Sequence, residues 1–203
     1  MQQASLVRMP GHALQEYRIV IAPHEALRER IMKKRTEFRD RHGASGYLPP
    51  ACLTLARFHQ HLMNEERTIA HIERIAMGMA PFRLSIRGFN SLPDHALFFH
   101  TERNTGLRKL TAEIKGMGRL LHPDPDHKAH IIPEPHIALA TRLRPEQFSA
   151  AWAEWAARPF SADILAEALL VLKRVPGDTR SQVVARLEFR NLPVTTKQGE
   201  LFT

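Results

Sequence analysis

The sequence predicts an α+β protein with two pseudo-symmetric lobes, each an antiparallel sheet with helices packed outside, around a central cleft. Three observations carry that expectation. Short runs that alternate with period two are interleaved with longer runs whose apolar residues recur at helical spacing. One stretch occurs twice, as Pro49 to Phe58, Pro-Pro-Ala-Cys-Leu-Thr-Leu-Ala-Arg-Phe, and as Pro133 to Leu143, Pro-Glu-Pro-His-Ile-Ala-Leu-Ala-Thr-Arg-Leu. After each copy the order is the same: helix, strand, strand.

Residues 1–16 read as a flexible leader broken by Pro10 and Gly11, residues 17–191 as one bilobal domain, and residues 192–203 as a loose polar tail. Tyr17 to Ala22 is rich in β-branched residues and closed by Pro23, the pattern of a buried strand. Glu25 to Arg41 carries Leu27, Ile31 and Phe38 among charges, an amphipathic helix stopped by Gly43. Ala44 to Tyr47 reads as a turn before the first copy of the repeat. Asn64 to Met79, with Ile69, Ile72, Ile75 and Ala76, predicts a second helix, and Phe82 to Phe89 and Ala96 to His100 predict strands around the Pro93-Asp94 turn. These elements complete one expected lobe.

Leu107 to Leu121 predicts a helix through Leu107, Leu110, Ile114 and Leu121, and Pro123-Asp-Pro-Asp126 a turn. The second copy then begins a strand at His136. Pro145 to Ala157 predicts a helix that packs Phe148, Ala151, Trp152 and Trp155 on a sheet, with Pro145 in its first turn. Ile164 to Arg174 and Val183 to Phe189, joined by Pro176-Gly177-Asp178, are the last two predicted strands.

With 203 residues, 43% of them hydrophobic, the chain is long enough for one real core. Lys and Arg number 29 against 21 Asp and Glu, and the pI near 10.2 suits a polyanionic partner. A single cysteine excludes an intrachain disulfide and favours a reducing compartment. Met1 to Glu16 has no long apolar run with basic flanks, so no secretory signal or membrane span is expected, and the expected location is the cytoplasm. A monomer is expected.

In each copy of the repeat, polar or small residues alternate with aliphatic ones. On a pleated strand Cys52 and Thr54 share one face, as do His136 and Ala138, while Leu53, Leu55, Ile137 and Leu139 point the other way. Each strand thus offers two side chains to a common site. This paired pattern resembles the His-x-Thr/Ser-x motifs of the 2H phosphoesterase superfamily, which includes 2'-5' RNA ligase-like proteins and RNA 2',3'-cyclic phosphodiesterases. The resemblance implies two lobes that each supply one motif strand to a cleft, two His as acid and base, hydroxyls that hold the phosphate, and no metal or other cofactor.

The match is incomplete. Cys52 stands where the first His belongs, and Ala138 where the second Thr or Ser belongs. The catalytic candidates are therefore His136 for proton transfer, Thr54 as a phosphate donor and Cys52 as a substitute proton carrier, and a thiol with an ordinary pKa of about 8.5 is a poor one. Losing one acid–base role costs roughly 10² to 10⁴ in rate, and losing one phosphate donor about 10² to 10³. The expected function is action on, or binding of, RNA or nucleotide ends with 2',3'-cyclic phosphate or 2'-5' linkages, with weakened catalysis. The alternative is a non-enzymatic RNA- or nucleotide-binding module on the same scaffold, and the blandest reading makes Cys52 and His136 ordinary packed residues.

Arg57 and Arg142 follow the two motifs at similar offsets and are the candidates for drawing in a phosphate chain, although a strand-end Arg equally suits a solvated surface. A cysteine-phosphatase loop is excluded, because four residues rather than five separate Cys52 from Arg57 and they alternate as a strand. His59 with His61, and His122, His127 and His130, lack a matching carboxylate pattern, so a metal site is not expected. Trp152 and Trp155 suit packing better than base stacking. Of Phe98 and Phe99 only one can face the cleft.

Overall fold

The computed structural model describes residues 12–43, 46, 48–174 and 180–193. The start of the leader, most of the Ala44 to Tyr47 turn, the Pro176-Gly177-Asp178 turn and most of the tail lie outside the described residues. In chain order the elements are β1 (Leu14–Ile21), α1 (Glu25–His42), β2 (Leu53–His61), α2 (Glu65–Gly78), β3 (Phe82–Leu92), β4 (Ala96–Thr101), α3 (Thr105–Gly116), β5 (His130–Ile131), β6 (Ile137–Thr141), α4 (Pro145–Trp155), β7 (Ser161–Ala166), β8 (Ala168–Arg174) and β9 (Gln182–Glu188). The helices begin where local chemistry satisfies their free amides: the Leu27 amide donates to His24 Nδ1, the Leu107 amide donates to Asn104 Oδ1, and Pro145 opens α4.

Two antiparallel sheets result, ordered β5-β2-β1-β8-β9 and β6-β4-β3-β7. Counted from the motif strands β2 and β6, the order β2-β1-β8-β9 corresponds to β6-β4-β3-β7, with β5 as an extra edge. The correspondence extends to an irregularity. Register slips between Ile19 and Val20 where β1 meets β2, and between Leu97 and Phe98 where β4 meets β6. The residues skipped are Leu55 and Leu139, both fully buried.

The lobes differ from the sequence expectation in how the chain is shared between them. Strands β3 and β4, which follow the first motif, build the sheet of the second motif, and β8 and β9 return to the sheet of the first. The expected single strand from Ile164 to Arg174 is broken at Glu167 into β7 and β8, which lie in different sheets. The burial pattern gives the reason. β7 alternates strictly between buried and exposed, as one covered face requires, whereas β8 is apolar and mostly covered on both faces.

Helices α2 and α3 pack on the first sheet through Ile72, Ala76, Leu107, Leu110 and Ile114, and α1 and α4 pack on the second. Trp155 of α4 is the largest fully buried side chain. It meets Phe38 of α1 at 5.7 Å between ring centroids and Phe89 of β3 edge-on at 5.0 Å, so packing is its role. Since α1 follows β1 but covers the second sheet, the two lobes share one core.

Candidate phosphodiester site

Cys52 and His136 each sit one residue before the hydrogen-bonded part of their strand. Leu53, Leu55, Ile137 and Leu139 point into the shared core, as the alternation predicts. The opposite faces differ between the lobes. On the first, Cys52 is 7% exposed and packs with Val20 and Leu172, and Thr54 beside it is 4% exposed. On the second, His136 is exposed, and its ring lies over Phe98 at 4.3 Å between centroids.

The thiol is held neutral. Burial pushes Cys52 up, and the charges of Arg18 and Arg35, a hydrogen bond from Thr54 and the charge of Arg57 pull back without cancelling that rise. Arg18 is itself tied to Glu16 Oε1 through Nε at 3.1 Å and Nη2 at 3.0 Å. Burial would raise the Glu16 carboxyl, but hydrogen bonds from Arg174 and Arg18 outweigh it and hold the group ionised below the usual carboxylate range.

Arg35 joins the two motifs, a role the sequence reading did not assign. Its Nε and Nη2 donate to the Ala138 carbonyl at 3.0 and 2.8 Å, and its Nη1 donates to the Pro49 carbonyl at 2.8 Å. The segment entering the first motif is thereby fastened to the strand of the second. The reciprocal tie is made by backbone: β5 pairs with β2, and the Ile132 amide donates to the Leu55 carbonyl at 2.8 Å, just before the chain crosses to His136. A signal was present in the sequence. Arg35 lies in the stripe Leu27, Ile31, Arg35, Phe38, where a fourth apolar residue belongs. It is only 6% exposed, and burial lowers its pKa against a small opposing effect of the nearby thiol.

His136 opens onto a cleft of about 620 Å³. Its Nδ1 lies 2.9 Å from the Glu134 carbonyl, which can only accept, so Nδ1 carries the proton and Nε2 is the acceptor of the neutral ring. Around it the cleft is walled by Phe98, His100 and Asn90 of the second sheet, by Arg103 just before α3 and by Arg108 in its first turn. Phe98 therefore lines the cleft, while Phe99 is fully buried in the core. Cys52 and Thr54 are not among the lining residues of this cleft.

The two Arg candidates are placed differently. Arg57 is exposed opposite Arg18, on the face of Thr54, and acts on the Cys52 thiol. Arg142 lies past the far end of β6 with φ 53°, and its side chain covers Gly46 so closely that a Cβ there would stand 2.9 Å from Arg142 Cδ. Among the described residues no group of three His, Cys, Asp or Glu side chains is placed to hold a metal ion. His59 and His127 face each other with ring centroids 5.2 Å apart, and His61 engages the His12 carbonyl.

Two sheets with twofold-related motif strands and helices outside define a 2H phosphoesterase-like fold. The family model of the 2'-5' RNA ligase superfamily matches residues 21–178, and the chain belongs to that superfamily. Among solved structures it is similar to TT0787 of Thermus thermophilus, with 22% identity, a TM-score of 0.61, and 87% of this chain and 98% of that chain covered. It is also similar to Escherichia coli LigT complexed with NADP+, with 18% identity, a TM-score of 0.58 and 87% and 99% coverage. For LigT complexed with 3'-AMP the values are 16%, 0.57, and 86% and 98%. No curated protein matches the sequence significantly.

Proposed function

We propose that this protein takes an RNA or nucleotide end carrying a 2',3'-cyclic phosphate or a 2'-5' linkage into the cleft at His136 and acts on that phosphodiester. The observation that carries this reading is the cleft itself, where His136, its ring against that of Phe98, shares the lining with Arg103 and Arg108 as well as Glu102 and Glu134. Phe98 suits a nucleobase or ribose face, and Arg103 and Arg108 suit phosphoryl oxygens. The nucleotides in the LigT complexes agree with a nucleotide ligand for this fold. On the other lobe Thr54 is 4% exposed and lies outside this cleft, so the exposed Arg57 is the residue there that would draw in a phosphate chain, and a neutral buried thiol leaves Cys52 a weak proton carrier. The lack of a motif His on that side favours the second reading, binding without turnover.

Turnover of 2',3'-cyclic nucleotides, and of a short RNA ending in 2',3'-cyclic phosphate, by the unaltered protein and by His136→Ala tests the proposal. Cleavage lost on that substitution is the expected result. Binding of the same RNA without cleavage selects the second reading. Neither binding nor cleavage overturns both.

A further inference from the structure

Opening a cyclic phosphodiester needs two proton transfers, and the twofold motif positions supply one open histidine. A second lies on the same lobe. Phe98 pairs with Ala138 and Phe99 with Ile137. Carrying that register one residue further sets His100 directly opposite His136, on the pleat face of Phe98 and Ala138. Opposed residues of neighbouring antiparallel strands have Cβ atoms about 4.5–5.5 Å apart. Both imidazoles line the 620 Å³ cleft, together with Arg103 and Arg108 and with the carboxyl residues Glu102 and Glu134. Cys52, by contrast, is 7% exposed and kept neutral by burial.

We infer that His100 is the second proton-transfer residue of this site, so that the acid–base pair is formed by neighbouring strands of one sheet rather than divided between the lobes. The inference rests on the phosphodiester reading above. The hydrogen bond from Nδ1 to the Glu134 carbonyl makes Nε2 of neutral His136 the base. A water oxygen forms a bond to phosphorus while one phosphorus–ribose oxygen bond breaks. The water proton passes to His136 Nε2, and the leaving ribose oxygen takes a proton from protonated His100. The product is a ribose phosphomonoester, and solvent returns both rings to their starting states. Arg103 and Arg108 meet the charge on the phosphoryl oxygens.

The test is the pH profile of kcat/KM for 2',3'-cyclic AMP with the unaltered protein and with His100→Ala, His100→Gln, His136→Ala and Cys52→Ala, alongside the Kd for 2'-AMP and the melting temperature of each. The expected profile of the unaltered protein is a bell. Each His100 variant should lose about 10² to 10⁴ in kcat and the alkaline limb of the bell, with its Kd for 2'-AMP and its melting temperature little changed. His136→Ala should lose the acidic limb, and combining it with His100→Ala in one chain should be little worse than the poorer single variant. Wild-type turnover in a folded His100 variant, or turnover lost in Cys52→Ala and kept in His100→Ala, overturns the role of His100 and leaves the phosphodiester reading intact. No turnover by the unaltered protein also overturns it, and the broader reading then depends on whether RNA ending in cyclic phosphate binds.

Discussion

The motif strands β2 and β6 share a partner pattern, a bulge and a pair of buried leucines, yet present opposite surfaces. At Cys52 the face is sealed by Val20 and Leu172. At His136 it opens between Phe98 and the start of α3. The backbone and the core-facing positions follow the twofold relation, and the positions on the opposite face do not. Core positions are held by packing, where a missing methylene already costs stability.

Arg35→Met should have the largest effect on this relation, because it strips the Ala138 and Pro49 carbonyls of their donor. Leaving two buried acceptors unsatisfied should cost about 2–6 kcal/mol, read by urea denaturation, and should perturb amide signals of both motif strands. Perturbation confined to one strand would show that Arg35 does not couple them. Leu55→Ala and Leu139→Ala come next, at about 2–5 kcal/mol each, and the twofold relation predicts costs within about 1 kcal/mol of each other. A large difference would show that the two bulges are supported differently.

Cys52→His with Ala138→Thr gives both strands the His-x-Thr pattern that the family resemblance implies. The imidazole must fit beside Val20 and Leu172, so the first change should lower stability by about 1–3 kcal/mol. An increase in turnover would show that the sealed lobe can still be reopened, and no increase despite intact folding would count against a decayed two-motif site. The native thiol should also react slowly with a disulfide reagent at pH 8 and quickly after unfolding, since burial raises its pKa and restricts access.

The smallest effect is electrostatic and lies outside the cleft, where α1 meets α4. Hydrogen bonds from Lys34 and Arg158 hold the Glu37 carboxyl at about 2, below its ordinary 4.5. A depressed carboxylate contributes stability that is present above its unfolded pKa and lost as pH falls through the folded one. Glu37→Gln should therefore flatten the fall in stability between about pH 4.5 and 2. An unchanged slope would remove Glu37 from the acid response.

The sequence by itself determined most of the elements, the repeat and the core-facing leucines, because strand alternation and helical spacing are local consequences of which face must be buried, but it missed the short β5 and ran the third helix past Gly116. It also placed Cys52 and His136 on corresponding strands. Tertiary structure alone decided which strands share a sheet, since β7 and β8 read as one run until the chain crosses between sheets at Glu167. It decided that Arg35 replaces an apolar residue in a helix stripe, because its partners are carbonyls 14 and 103 positions away in sequence. It also brought His100 beside His136. Pairing across strands depends on register, and register is set by long-range contacts that no local pattern records.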